Sequence, residues 1–140
     1  MWIRTYSKTY SNITADAIWN RWSDINNWHE WNPGVEYCKL HGPFAVGSHF
    51  MLKSKGGPEV KIELFEIEKG KKFTDCSTFP GAKMYGIHEI EETPDGLKLI
   101  TTLKVTGWLT YLWVFILAKK IVAKVPEQTD NLVELARQKK

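Results

Sequence analysis

The sequence predicts an α+β fold: a seven-stranded curved antiparallel sheet lying against a long C-terminal helix, with two short helices between strands 1 and 2. Three observations carry this. Six runs of strand-like residues separated by turn signals follow one another between residues 35 and 106, at the spacing of hairpins rather than of strand–helix–strand units. A helical period interrupts the text between the first strand and this series. After Thr106 the pattern becomes an apolar stripe at spacings of three and four.

Residues 2 to 10 alternate, with Trp2, Arg4, Tyr6, Lys8 and Tyr10 on one face, and are rich in strand formers. Thr14 is placed to cap a helix whose first turn carries Asp16 and whose face carries Ile18 and Trp22. Ser23 or Asp24 can cap a second short helix, which Asn32-Pro33-Gly34 ends. The strand runs are VEYCKLH from Val35, GSHFMLKS from Gly47, VKIELFEIE from Val60, KKFTDCSTF from Lys71, KMYGIHEIEE from Lys83 and LKLITTLKVT from Leu97, divided by glycine- and proline-bearing turns.

Leu109, Leu112, Trp113, Ile116 and Leu117 form a helical apolar stripe. Pro126-Glu127 reads as the first turn of a helix from about 126 to 138, with Leu132, Leu135 and Ala136 on one face. One helix kinked at Pro126 and two separate helices both fit this text. A curled sheet needs apolar cover on its concave side, and the C-terminal helix has the length to supply it. Such an arrangement leaves space between sheet and helix, where small-molecule sites form.

With 140 residues the chain suits one domain, residues 1 to 140, with a real core. The formal charge of +3 is mild and the lysines are scattered, which argues against a nucleic-acid partner. Cys38 and Cys76 have no metal-binding spacing and suit a reducing compartment, and the start of the chain lacks the apolar run of a signal peptide, so a cytoplasmic location is expected. The longest apolar run, residues 108 to 118, is too short to span a bilayer. Seven tryptophans, four of them between Trp19 and Trp31, pose the sharper question of whether they close a core or face a ligand.

Asp24, Trp28, Trp31, Asn32 and Pro33, followed by an apolar strand and by Val46-Gly47, resemble the START-like superfamily of polyketide cyclases, dehydrases and lipid-transport proteins, also called the SRPBCC or helix-grip fold. LFEIEKGKKF (64 to 73) and HEIEETPDGLKL (88 to 99) are similar to later strands and turns of that superfamily, and the order of elements matches from about residue 2 to 138. The resemblance implies a cavity between sheet and C-terminal helix, with Trp28 and Trp31 bordering its mouth. It carries over no catalytic residue, no cofactor and no metal.

Trp19 and Trp22 occupy amphipathic positions and are expected to seal the short helices against the sheet. Candidates for touching a ligand are Trp28, Trp31, His49, Met51, Phe65, Met84, Tyr85, His88, Leu103 and Trp113. The strand period places His88 with Met84, and His49 with Met51, as polar handles for an apolar pocket. Leu99, Thr101, Leu103 and Val105 form the inward face of the last strand; Phe65 and Tyr85 can face either way because bulges shift register.

No serine elbow, phosphate loop or dinucleotide fingerprint is present. The leading expectation is therefore a module that binds or transports a small hydrophobic molecule such as a lipid, isoprenoid or polyketide-like aromatic. A cyclase or dehydratase using the same cavity is the alternative, and a buried histidine paired with a carboxylate would favour it. A third reading is a membrane-surface or protein-interaction role through residues 108 to 118, which Lys119, Lys120 and Lys124 follow.

Overall fold

The computed structural model describes residues 1–138. β1 (Trp2–Tyr10) leads to α1 (Ala15–Ser23) and a 3-10 helix (Ile25–Glu30). Six strands follow: β2 (Val35–His41), β3 (His49–Ser54), β4 (Glu59–Glu68), β5 (Lys72–Phe79), β6 (Ala82–Thr93) and β7 (Gly96–Thr106). They form one antiparallel sheet in the order β1-β7-β6-β5-β4-β3-β2, a meander from β2 to β7 with β1 added beside β7. This is the seven-stranded antiparallel sheet that the strand count and turn spacing predict, and its order is that of the helix-grip fold the resemblance implies.

The local signals act as expected at the start of α1. The Thr14 hydroxyl accepts from the Ala17 backbone N–H at 3.2 Å, and Ile18 and Trp22 are buried on one face. Asp24 starts the 3-10 helix without a side-chain cap to the backbone.

The pairing register separates the two faces of the sheet. One row runs Leu40, Phe50, Ile62, Ser77, Met84, Val105 and Trp2 and faces the helices. The neighbouring row, His41, His49, Glu63, Cys76, Tyr85, Lys104 and Ile3, points the other way. Leu97, Leu99, Leu103 and Val105 of β7 are buried, so the predicted inward face of that strand is correct. A bulge between Leu64 and Glu66 bends β4 and turns Phe65 outward, where it is 57% exposed.

The chain leaves β7 through Gly107, where φ is +112° and an added Cβ would overlap the Gly81 carbonyl. Leu109 N–H donates to that same carbonyl at 2.9 Å, which pins the start of the helix to the β5–β6 turn. From here residues 110–138 are continuously helical: α2 (Thr110–Trp113), a π-helical turn (Val114–Ala118) and α3 (Lys119–Gln138).

Pro126 lies inside α3, which decides between the two arrangements that fit the sequence: the helix is continuous through the proline. The proline removes one backbone donor, but packing on both sides of it keeps the helix intact. The apolar stripe is divided by the fold. Thr110, Val114 and Ala118 are the buried positions, Leu109, Trp113 and Leu117 are half-buried, and Leu112 and Ile116 face out, because small side chains let this end of the helix lie close to β7.

Two buried clusters result. The larger joins Trp19, Trp22, Trp28 and Trp31 to Phe50, Phe73, Leu132, Val133 and Ala136. The smaller joins Trp2, Ala82, Leu103 and Val105 to Val114 and Ala118. The helix thus rests on the sheet at both ends.

Candidate functional site

Between the two clusters the helix passes over the sheet without filling the space beneath it. A cleft of about 480 Å³ remains, within the range of roughly 300–1,000 Å³ typical of small-molecule sites. Its floor is Leu52, Val60, Ile62, Phe79 and Met84 of the sheet, and its roof is Leu117 and Ile121 of the helix. Asn32 to Val35 close one side, and Ser77 and Gln128 add polar groups.

Lys55, Lys120 and Lys124 also line the cleft, and no aspartate or glutamate does. None of these three lysines has an ion-pair partner among the described residues. An apolar trough with an uncompensated positive border suits a molecule with an apolar body and an anionic or acceptor end.

A second pocket of about 40 Å³ is lined by Trp22, Trp31, His88, Leu99, Thr101, Val125, Gln128, Thr129 and Leu132. It is the size of a few water molecules. Gln128 borders both spaces. Within this second pocket His88 is held on three sides: its ring stacks on Phe73 at 4.4 Å, meets the edge of Trp22 at 5.8 Å, and its Nε2 lies 3.1 Å from Asp75 Oδ2. The His88 and Asp75 side chains are 20% and 16% exposed.

Gly86 N–H donates to Asp75 Oδ1 at 3.2 Å, and a Cβ added at Gly86 would lie 2.7 Å from that oxygen. Glycine at this position gives the carboxylate its room. When Nε2 carries the proton it donates to Asp75, and Nδ1 becomes a free acceptor able to take a proton from a bound molecule.

The candidate residues divide into groups. Met84 lines the cleft, and Trp31 and His88 line the small pocket beside it. Leu103 is on the inner face but belongs to the smaller buried cluster. Trp113 stacks on Phe79 at 4.6 Å and donates from Nε1 to the Pro80 carbonyl at 2.8 Å, closing the end of the cleft behind Phe79. Trp28 is buried against Phe50 and Trp31, and its Nε1 donates to the Trp22 carbonyl at 3.0 Å, so it builds the wall that the pocket rests on.

His49, Met51, Phe65 and Tyr85 belong to the outer face, away from the cleft. His49 stacks on His41 at 4.9 Å and Phe65 packs edge-on against Tyr85 at 5.6 Å. His49 follows a glycine turn and a single apolar neighbour, Phe50, decides the face of its strand; Phe50 is fully buried and His49 takes the other side.

Asp75, Gln128, Ile121 and Lys55 were not singled out in the sequence, and Lys120 and Lys124 were singled out only for a surface role beside residues 108 to 118. A signal for Asp75 is present: alternation from Phe73 places Phe73, Asp75 and Ser77 on one face, and a lone carboxylate on an apolar strand face is unusual. Burial pushes the Cys38 thiol up to about 12, which makes it an inert packing group. Among the described residues, no helix is long and apolar enough to cross a membrane.

The model of a family described as "Polyketide cyclase / dehydrase and lipid transport" matches residues 3–137. Among curated proteins, none matches the chain. Solved structures share its fold at low identity. A hypothetical protein from Helicobacter pylori superposes with a TM-score of 0.78 at 12% identity, covering 97% of this chain and 88% of that one. Norcoclaurine synthase from Thalictrum flavum, in complex with dopamine and hydroxybenzaldehyde, gives 0.73 at 14% identity, covering 99% and 89%. A START superfamily protein from Mycobacterium smegmatis gives 0.71 at 16% identity, covering 95% and 97%.

Proposed function

The chain belongs to the polyketide cyclase / dehydrase and lipid transport family, and from that premise we propose that it is a one-domain module that binds a small hydrophobic molecule in the cleft between sheet and helix. The cleft of about 480 Å³, apolar on floor and roof and bordered by three lysines that have no ion-pair partner among the described residues, carries the reading. The ligand's body lies on Ile62, Phe79 and Met84 under Leu117 and Ile121, at roughly 25 cal/mol per Å² of apolar area removed from water. An acidic or acceptor end meets Lys55, Lys120 or Lys124. Carriage of a lipid, isoprenoid or polyketide-like aromatic fits this chemistry.

The test is native mass spectrometry of protein purified from its own host, with denaturing extraction of whatever is bound. A stoichiometric apolar molecule, absent from Met84→Trp and Ile121→Trp, is the expected result. Protein that is empty and also ignores a panel of fluorescent fatty acids and aromatics would refute the proposal.

The Asp75–His88 pair favours a second reading, in which the same molecule is also turned over. In that reading a ligand that reaches past Gln128 presents an acidic C–H to His88 Nδ1, and Asp75 keeps the imidazole oriented and balances the imidazolium that forms. Incubating the captured ligand with protein in D2O tests it. Deuterium should enter the ligand with the wild type and not with His88→Gln, while both bind the ligand; no incorporation by the wild type would leave carriage alone.

A further inference from the structure

Among the described residues, nothing covers the exposed face at the start of the C-terminal helix. Trp108 is 84% exposed, Phe115 77%, Tyr111 69%, Leu112 47% and Ile116 45%. Five large apolar side chains within nine residues form a continuous patch of a kind that soluble surfaces rarely display without a use. Val114 and Ala118 are buried at the two ends of the π-helical turn, and Phe115 and Ile116 between them face outward.

The charge around the patch is one-sided. No aspartate or glutamate occurs from Gly96 to Pro126, and the patch continues along the helix into exposed Lys119 and Lys120, with Lys124 one turn on. Lys120 and Lys124 also line the cleft, so patch and cleft mouth adjoin. Tryptophan and tyrosine at the end of an apolar helical face, followed by lysines, is the composition of a segment that lies in a bilayer interface, and no described helix is built to go through one.

We propose that this surface docks on an anionic lipid bilayer, with Trp108, Tyr111, Leu112, Phe115 and Ile116 entering the headgroup region and Lys119 and Lys120 meeting the lipid phosphates. Docking turns the mouth of the cleft toward the membrane, so an apolar ligand passes between bilayer and protein without crossing water. The surface acts whether or not the cleft is filled, so its test is separable from that of the ligand.

The experiment is co-sedimentation with vesicles of pure phosphatidylcholine and of phosphatidylcholine with 30% phosphatidylglycerol, in low and high salt. Binding to the anionic vesicles should exceed binding to the neutral ones by roughly 10- to 100-fold and should weaken in high salt. Trp108→Ser/Phe115→Ser should reduce it to background, and Lys119→Glu/Lys120→Glu should remove at least about tenfold of it. All the substituted side chains are exposed, and circular dichroism with thermal melting checks that the variants are folded. Met84→Trp should bind vesicles like the wild type.

Brominated lipid gives an independent signal. Five tryptophans are buried and Trp113 is half-buried, so quenching should come mainly from Trp108 and fall away in Trp108→Phe. Three results would overturn the proposal: equal sedimentation with both vesicle types that survives the serine substitutions, no sedimentation at all, or a concentration-dependent dimer that Phe115→Ser dissolves while vesicles are ignored. The last would assign the face to a second copy of this chain.

Discussion

The half of the C-terminal helix before Pro126 carries many more apolar residues than the half after it, and the two use them in opposite ways. Beyond Pro126 the face made of Thr129, Leu132, Val133 and Ala136 is buried in the tryptophan cluster, and polar ties lock it in place. Asp130 Oδ1 accepts from Tyr10 Oη at 2.6 Å and from Lys8 Nζ at 2.9 Å, and Arg137 donates to the Ser11 carbonyl. Before Pro126 the helix touches the sheet through Val114 and Ala118, spans the cleft with Leu117 and Ile121, and leaves its largest side chains outside. One half serves as an anchor and the other as a roof, and a region that must admit or meet something else cannot also be fully packed.

The contrast can be broken most severely in the anchor. Trp22→Ala, which removes a ring packed against Trp19, Phe73 and His88, should cost about 3–5 kcal/mol in urea unfolding. Leu132→Ala should cost about 2–5 kcal/mol there. Ile121→Ala, on the open cleft, should cost under about 1 kcal/mol because no closed cavity is created. Similar losses at Leu132 and Ile121 would remove the distinction between the halves.

Pro126→Ala should stabilise the protein, by up to about 3 kcal/mol less whatever the present packing already recovers. If the proline loosens the joint between roof and anchor, the same substitution should slow ligand exchange in stopped-flow fluorescence.

Asp130→Asn should cost about 0.5–1.5 kcal/mol, at the low end because the carboxylate is half exposed and screened. The hydrogen bonds from Tyr10 and then Lys8 hold the Asp130 carboxyl below its ordinary value of 3.8. A lowered folded pKa favours the folded state when the group is ionised. That contribution is therefore complete above about pH 3.8 and is lost as the pH falls through the folded value, and the stability gap between wild type and Asp130→Asn should close in that window. The smallest effect on stability is expected at Trp108→Ser, within about 0.5 kcal/mol, despite the loss of a large ring.

Much of the fold was legible because strands in a meander are set by local alternation and turn residues. The Thr14 cap, the six hairpin-spaced runs and the inward face of β7 needed no knowledge of distant partners. The candidate site was legible in part. Met84, Trp31 and His88 lie on strongly patterned or aromatic stretches, and their faces follow from their neighbours. His49, Met51, Phe65 and Tyr85 lie where alternation is weak or a bulge intervenes, and a one-residue slip sends a side chain to the other face. Trp19 and Trp22 of α1 are core, as their helical positions imply, and Trp28, read from the sequence as bordering the cavity mouth, is buried in the same cluster; Trp22 and Trp31 also line the small pocket beside His88.

By itself the sequence determined the order and type of the elements, because propensity, capping and period are local properties of the chain. It could not decide how far the helix stands from the sheet, which side of the C-terminal stripe turns inward, or that Asp75 meets His88 across two paired strands. Those follow from tertiary packing. Large rings fill one end, small Val114 and Ala118 draw the helix down at the other, and the cleft is the space that neither end can close.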